Sequence, residues 1–201
     1  MSKRLTIVTT TIQPPTEATI EFFKKVRDNP DWRMVVAGDT KTDPAPYQLL
    51  ADECDRFSFL SFEEQETRWR ELSDLIGPRS IQRRNFGFLK ALSDGCDVVA
   101  TVDDDNIPYP EWGNEILVGD TVKDVVCYNS TNGVFDPLSV TNHPELWHRG
   151  YPHPLRSTRH RCLRFVADCR CIVQANLWDG DPDIDAIQRI VAEPLVMFDK
   201  M

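Results

Sequence analysis
The sequence predicts an α/β domain with a mostly parallel central sheet flanked by helices. Three observations carry this. Short apolar, β-branched runs alternate with amphipathic helical stretches as far as Pro108. The last of these runs, Val98-Val99-Ala100-Thr101-Val102, stops abruptly in Asp103-Asp104-Asp105-Asn106. Beyond Pro108 the alternation gives way to a stretch rich in Asn, Pro, Gly and His.

The elements follow in order. Leu5–Thr9 reads as a first strand and 10–15 as a loop. Thr16 is a helix cap, and Glu17–Val26 places Ile20, Phe22, Phe23 and Val26 on one side. Trp32–Ala37 is a second strand ended by Gly38-Asp39, Tyr47–Cys54 is helical, and Phe57–Leu60 is a third strand. Glu63–Leu75 is one charged amphipathic helix, stopped by Gly77-Pro78. Ser80 caps a further helix through Leu92, with Ile81, Phe88, Leu89 and Leu92 as its core face, and Gly95 closes it. Val98–Val102 follows as a buried strand. Later, Val125–Tyr128, Leu163–Ala167 and Cys169–Gln174 read as strands, and Pro182 opens a short helix over Asp183–Val191. Residues 129–161 have little periodicity, which in a compact domain marks a functional or mobile segment.

With 201 residues the chain reads as one domain, 1–108 forming a nucleotide-binding half and 109–201 a second half. A net charge of −9 opposes non-specific binding to nucleic acid or an anionic membrane. It leaves room for a local basic patch at Arg149, Arg156, Arg159, Arg161, Arg164 and Arg170. No signal peptide or membrane span is legible, so a cytoplasmic protein is expected. The six scattered cysteines read as reduced thiols. Cys162, Cys169 and Cys171 with His160 fit no common zinc spacing.

Five groups carry candidate chemistry. Three adjacent carboxylates repel one another unless a cation sits among them, and hard oxygen ligands suit Mg²⁺ or Mn²⁺. On an extended segment Asp103 and Asp105 converge as metal ligands while Asp104 faces elsewhere. A solvated acidic turn is the competing reading. Arg83 and Arg84, early in the helix that feeds the acidic strand, can reach a diphosphate. Gly87 within that helix marks close packing or a close ligand approach. Thr9, Thr11 and Asp39 lie at strand carboxyl ends, where ligands bind in open α/β sheets; ordinary turn chemistry explains them equally well. Arg149 and Arg156 lie in a polar loop with His148 and His153. In the run Asp179-Gly180-Asp181-Pro182-Asp183-Ile184-Asp185, Asp181 can cap the helix, yet four aspartates exceed what a cap needs.

Taken in order, Thr-Thr-Thr, Val-Ala-Gly-Asp-Thr-Lys-Thr, Arg-Arg-Asn-Phe-Gly-Phe-Leu, Asp-Asp-Asp-Asn, Arg-Gly-Tyr-Pro and Leu-Trp-Asp-Gly-Asp-Pro-Asp-Ile-Asp-Ala resemble two related families. These are the STELLO-type glycosyltransferase-like proteins and the reversibly glycosylated polypeptides, which are UDP-arabinopyranose mutases. The resemblance spans Leu5 to about Ile190. It implies a GT-A-like (Rossmann-like) nucleotide-sugar-binding domain with an Asp-x-Asp metal site. It assigns Asp103 and Asp105 to Mn²⁺ or Mg²⁺ and the UDP-sugar and matches Arg84 and Asp39, and with the residue readings above the nucleotide-sugar set is Asp103, Asp104, Arg83, Arg84, Asp39, Thr9 and Thr11. Arg149, Arg156 and Asp181 become the catalytic candidates, Arg149 matching the arginine that carries the sugar in the mutases. Two departures stand out: Gln174-Ala175-Asn176 replaces the histidine that precedes Gly-Leu-Trp in the mutases, and both families continue beyond the position of Met201.

The expected activity is metal-dependent transfer from a UDP-sugar to an acceptor that the sequence leaves open. A UDP-sugar mutase and a catalytically silent nucleotide-sugar-binding or assembly module are the alternatives, with a homo-oligomer as an open possibility.

Overall fold
The computed structural model describes residues 3–156, 162–175, 183–191 and 197. The chain divides into two compact units, 1–114 and 115–201.

The first unit is an α/β layer structure. Its strands are β1 (Leu5–Thr10), β2 (Trp32–Ala37), β3 (Phe57–Leu60) and β4 (Val98–Thr101), all parallel, in the order β3-β2-β1-β4. Its helices are α1 (Glu17–Asp28), α2 (Ala45–Glu53), α3 (Phe62–Arg68), α4 (Arg70–Ile76) and α5 (Arg84–Ser93). β1 is buried along its whole length, as an unbroken apolar and threonine run in a central parallel strand should be. Val8, Val35, Leu60, Phe86 and Ala91 form the core between sheet and α5, with Trp69, Leu72 and Val99 packed against it.

Three expectations change. β4 is the sheet's edge, and its exposure rises towards Thr101 rather than staying buried throughout. The single helix expected over Glu63–Leu75 is two, broken at Trp69 (φ −137°, ψ 54°), whose ring lies 5.7 Å from that of Phe86. The last helix begins as a 3-10 turn over Ile81–Arg83 before α5. Its inward residues are Phe86, Gly87 and Ala91, while Ile81 and Leu92 face solvent. Gly87 sets that phase, because a Cβ there would sit 2.4 Å from Val8 Cγ1, so only a glycine lets α5 approach β1 this closely.

The second unit is built on a two-stranded antiparallel ribbon, β5 (Thr121–Ser130) with β6 (Cys162–Arg170). The two strands expected at Leu163–Ala167 and Cys169–Gln174 are therefore one, ending at Arg170. A bulge lies between Val122 and Val125, with Asp124 in the left-handed region (φ 54°) and its N–H donating to the Asp168 carboxylate at 3.1 Å. α6 (Ala186–Val191) is shorter than the helix expected from Asp183. Leu138, Leu146 and Ile184 form a small core.

Candidate functional site
In the first unit the chain runs outward from β1 through β2 to β3, then returns to the other side of β1 as β4. The order reverses between β1 and β4. Right-handed crossovers place the intervening helices on opposite faces, and ligands bind at such a reversal, beyond the carboxyl ends of the strands. Thr9–Thr11 and Asp103–Asn106 leave the sheet there.

The acidic segment is a turn, with the Asn106 N–H directed at the Asp103 carbonyl. Asp104 is pinned inward. Its carboxylate accepts from the Thr11 hydroxyl, and its backbone carbonyl accepts from the Thr16 hydroxyl. Thr16 also caps α1, accepting from the Thr19 N–H at 3.2 Å. Asp103 and Asp105 remain exposed. Asp104 is thus set apart from exposed Asp103 and Asp105 by a turn and two threonines, in place of the extended segment expected here. Thr16 was legible only as a cap; nothing in its neighbourhood marked it as a support for Asp104.

The two adjacent arginines have opposite fates. The Arg84 guanidinium pairs with the Asp103 carboxylate and donates to the Thr101 hydroxyl at 3.2 Å, and its Nε is buried without a partner. Arg83, expected at the diphosphate, is instead fully buried in the core. It donates to Gln65 Oε1 (2.7 Å), Ser73 Oγ (3.0 Å) and the Gly77 carbonyl (3.1 Å), and its guanidinium carbon lies 4.0 Å from the centre of the Phe62 ring. Burial lowers its pKa against the opposing charges of Asp39 and Glu66. Its donors tie α3, α4 and the loop after α4 together, which removes it from the ligand-binding set.

Asp39 is also committed to the protein. Its carboxylate accepts from the Thr40 N–H at 2.6 Å and the Ser80 N–H at 3.0 Å. Burial pushes its pKa up, but the backbone N–H groups of Arg79, Thr40 and Ser80 outweigh that and hold it below the usual value. Arg79 occupies the left-handed region (φ 58°), a conformation that Asp39 helps to hold. Thr42 donates to the Thr11 carbonyl at 2.7 Å, linking this loop to the one after β1. The Thr9 hydroxyl is buried with no partner, an arrangement proteins seldom leave unfilled.

In the second unit each candidate arginine has its own aspartate. Arg149 pairs with Asp183 at 3.1 Å, and its N–H donates to the Asp183 carbonyl at 3.0 Å. Arg156 pairs with Asp185 at 2.8 Å, which lowers the Asp185 pKa, and its Nε is buried and unpartnered. The latter half of the acidic run is therefore explained as counter-charge for this arginine pair. Asp181 lies outside the described residues. Asp136, which the sequence did not single out, is buried and accepts from the N–H groups of Leu138 (3.0 Å) and His148 (3.2 Å). Burial pushes its pKa up, and those N–H groups and Arg156 act against the rise.

Among the described residues no group of three or more His, Cys, Asp or Glu side chains is arranged to hold a metal ion, and no helix is long and apolar enough to cross a membrane. His160, considered with three cysteines for zinc, lies outside the described residues. Neither the known family models nor the curated proteins contain a match to this chain.

Proposed function
We propose that the chain is a metal-dependent glycosyltransferase domain of the GT-A type that binds a UDP-sugar and transfers its glycosyl group, acting in the cytoplasm. The observation that carries this reading is the pairing of Arg84 with exposed Asp103, two residues from exposed Asp105, at the point where the strand order reverses. Two carboxylates are fewer ligands than a protein-only cage requires. They suit Mg²⁺ or Mn²⁺ that takes its remaining oxygens from a diphosphate and water. Bound there, the ion would offset the charge that builds on the departing diphosphate. Arg84, already paired with Asp103, is a second source of positive charge for the same group. Thr9, near the end of β1, the strand paired with β4, offers a buried hydroxyl without a partner.

Calorimetric titration with UDP tests the reading. Wild type should bind UDP with Mn²⁺ present and lose it in chelator, and Asp105→Ala should weaken binding by at least tenfold. Equal affinity in Asp105→Ala overturns the metal assignment. Release of UDP from a UDP-sugar, with and without candidate acceptors, then separates a transferase from a silent binding module.

A mutase is favoured as the second reading by one contact. An arginine that carries a sugar must lose a proton, and the Asp183 carboxylate lies 3.1 Å from the exposed Arg149 guanidinium. Label from a UDP-sugar retained on wild type and absent from Arg149→Ala would select this reading; no label on either excludes it.

A further inference from the structure
The β5–β6 ribbon holds a thiol pair. Cys127 and Cys169 place their Sγ atoms 3.2 Å apart, although they lie 42 positions apart in the chain. The ladder alone does not pair them, since Cys127 lies opposite Phe165 and Cys169 opposite Val122. The Val122/Val125 bulge, where the chain passes through the left-handed Asp124, bends the ribbon between those two rungs. Cys54 and Cys96 lie in the other unit, Cys162 is exposed, and the Cys171 thiol donates to the Val173 carbonyl at 3.6 Å.

We propose that Cys127 and Cys169 are a redox-active dithiol that closes to an intrachain disulfide on meeting a small-molecule disulfide such as oxidised glutathione. The sulfurs lie 3.2 Å apart, so a shift of roughly 1 Å closes them to the bonding distance of about 2.05 Å. Exchange opens at either sulfur, and both orders give the same bond; in one, Cys169 leads. Its thiolate attacks the small disulfide, forms a mixed disulfide and expels one small thiolate. Cys127 then attacks the Cys169 sulfur, forms the intrachain bond and expels the second. The two protons lost by the cysteines end on the two small thiols, so one disulfide is reduced as the other forms. The bond would tie together the two strands that flank the segment carrying Arg149 and Arg156. A two-stranded ribbon is a marginal structure without such support.

The proposal is independent of the nucleotide-sugar reading. The reduced full chain is incubated with oxidised glutathione, denatured, and its free thiols are counted. The count should fall from the six free cysteines to four, and peptide mapping of wild type should recover the Cys127–Cys169 link. Cys127→Ala and Cys169→Ala should each lose no pair of thiols, whereas Cys162→Ala should still lose two. The proposal is overturned by an unchanged count, by glutathione adducts alone, or by mapping that links other cysteines. Because the wild-type map stands by itself, a variant that fails to fold does not blunt the test.

Discussion
The two units of this chain are held together by different means. In the first, Ile7, Val8, Val35, Val36 and Phe86 are almost entirely removed from water, and even an arginine is absorbed into the core. In the second, the described apolar core is Leu138, Leu146 and Ile184, and Leu163 and Val166 of the ribbon are more than half exposed. Two aromatic pairs, Tyr128–Phe135 and Trp147–Tyr151, add to it, and polar bonds do much of the rest: Asp136 to two backbone N–H groups, the exposed Arg149 to Asp183, and Arg156 to Asp185. Apolar burial is not screened by salt and costs most when its packing is disturbed, whereas exposed ion pairs are screened and contribute little singly. The contrast predicts where substitutions hurt.

The largest effect should come from Arg83→Ala. It leaves Gln65 Oε1, Ser73 Oγ and the Gly77 carbonyl without their donor and opens a cavity against Phe62 and Phe86. A loss of about 3–5 kcal/mol in denaturant unfolding is expected. Arg83→Met keeps much of the volume and should cost less. A near-neutral Arg83→Ala would break the view that the first unit depends on its buried contacts.

Next comes Gly87→Val. The Cβ alone meets Val8 Cγ1 at 2.4 Å, and the two methyls drive further into the sheet. The expected loss is about 3 kcal/mol, the upper end for overpacking. Calorimetric melting checks it, and a variant as stable as wild type would mean that α5 can lift from β1 without cost. In the second unit Leu138→Ala should cost about 2 kcal/mol, the low end for a buried leucine, because so few neighbours are fully buried around it. A loss as large as that of Arg83→Ala would erase the contrast.

What the sequence discloses divides along the same line. β1, α1 and β2 are legible because apolar runs and a threonine cap act locally, and the parallel order follows from the alternation. The phase of α5 is not, because Phe86, Gly87 and Ala91 are selected by the approach of Val8, a contact made only in three dimensions. Arg83 and Arg84 are chemically identical neighbours, and only the 3-10 turn before α5 sends one into the core and the other to Asp103. In the candidate site the acidic turn was visible as three carboxylates. Its support by Thr11 and Thr16 was hidden, since both hydroxyls also read as ordinary turn and cap residues. Asp183 and Asp185 gave an excess of charge but no partner; their arginines lie some thirty positions earlier in the chain.

The smallest effect tests the contrast from the other side, with an exposed ion pair in the first unit. Arg4 and Asp97, the residues just before β1 and β4, join through side-chain bonds of 2.8 and 3.1 Å, and the Arg4 N–H adds a third at 3.0 Å. The Arg4 hydrogen bonds, side chain first and then backbone, pull the Asp97 pKa down to about 2. A carboxylate whose folded pKa lies below its unfolded value of about 3.9 stabilises the fold above that unfolded value. The contribution fades as pH falls from that unfolded value through about 2, where the folded carboxyl is half protonated, and is gone once both states are protonated below it. Asp97→Asn removes it. Wild type should therefore exceed the variant by a constant small margin from neutral pH to about pH 5, and the margin should shrink steadily below that. Because both side chains are largely in solvent, molar salt should reduce the margin at every pH. Denaturant unfolding of the two proteins across this range, at low and high salt, measures it. A margin as large at pH 2 as at neutral pH, or one that salt leaves untouched, would show that Asp97 acts through packing, and that surface charge in the first unit behaves as its buried groups do.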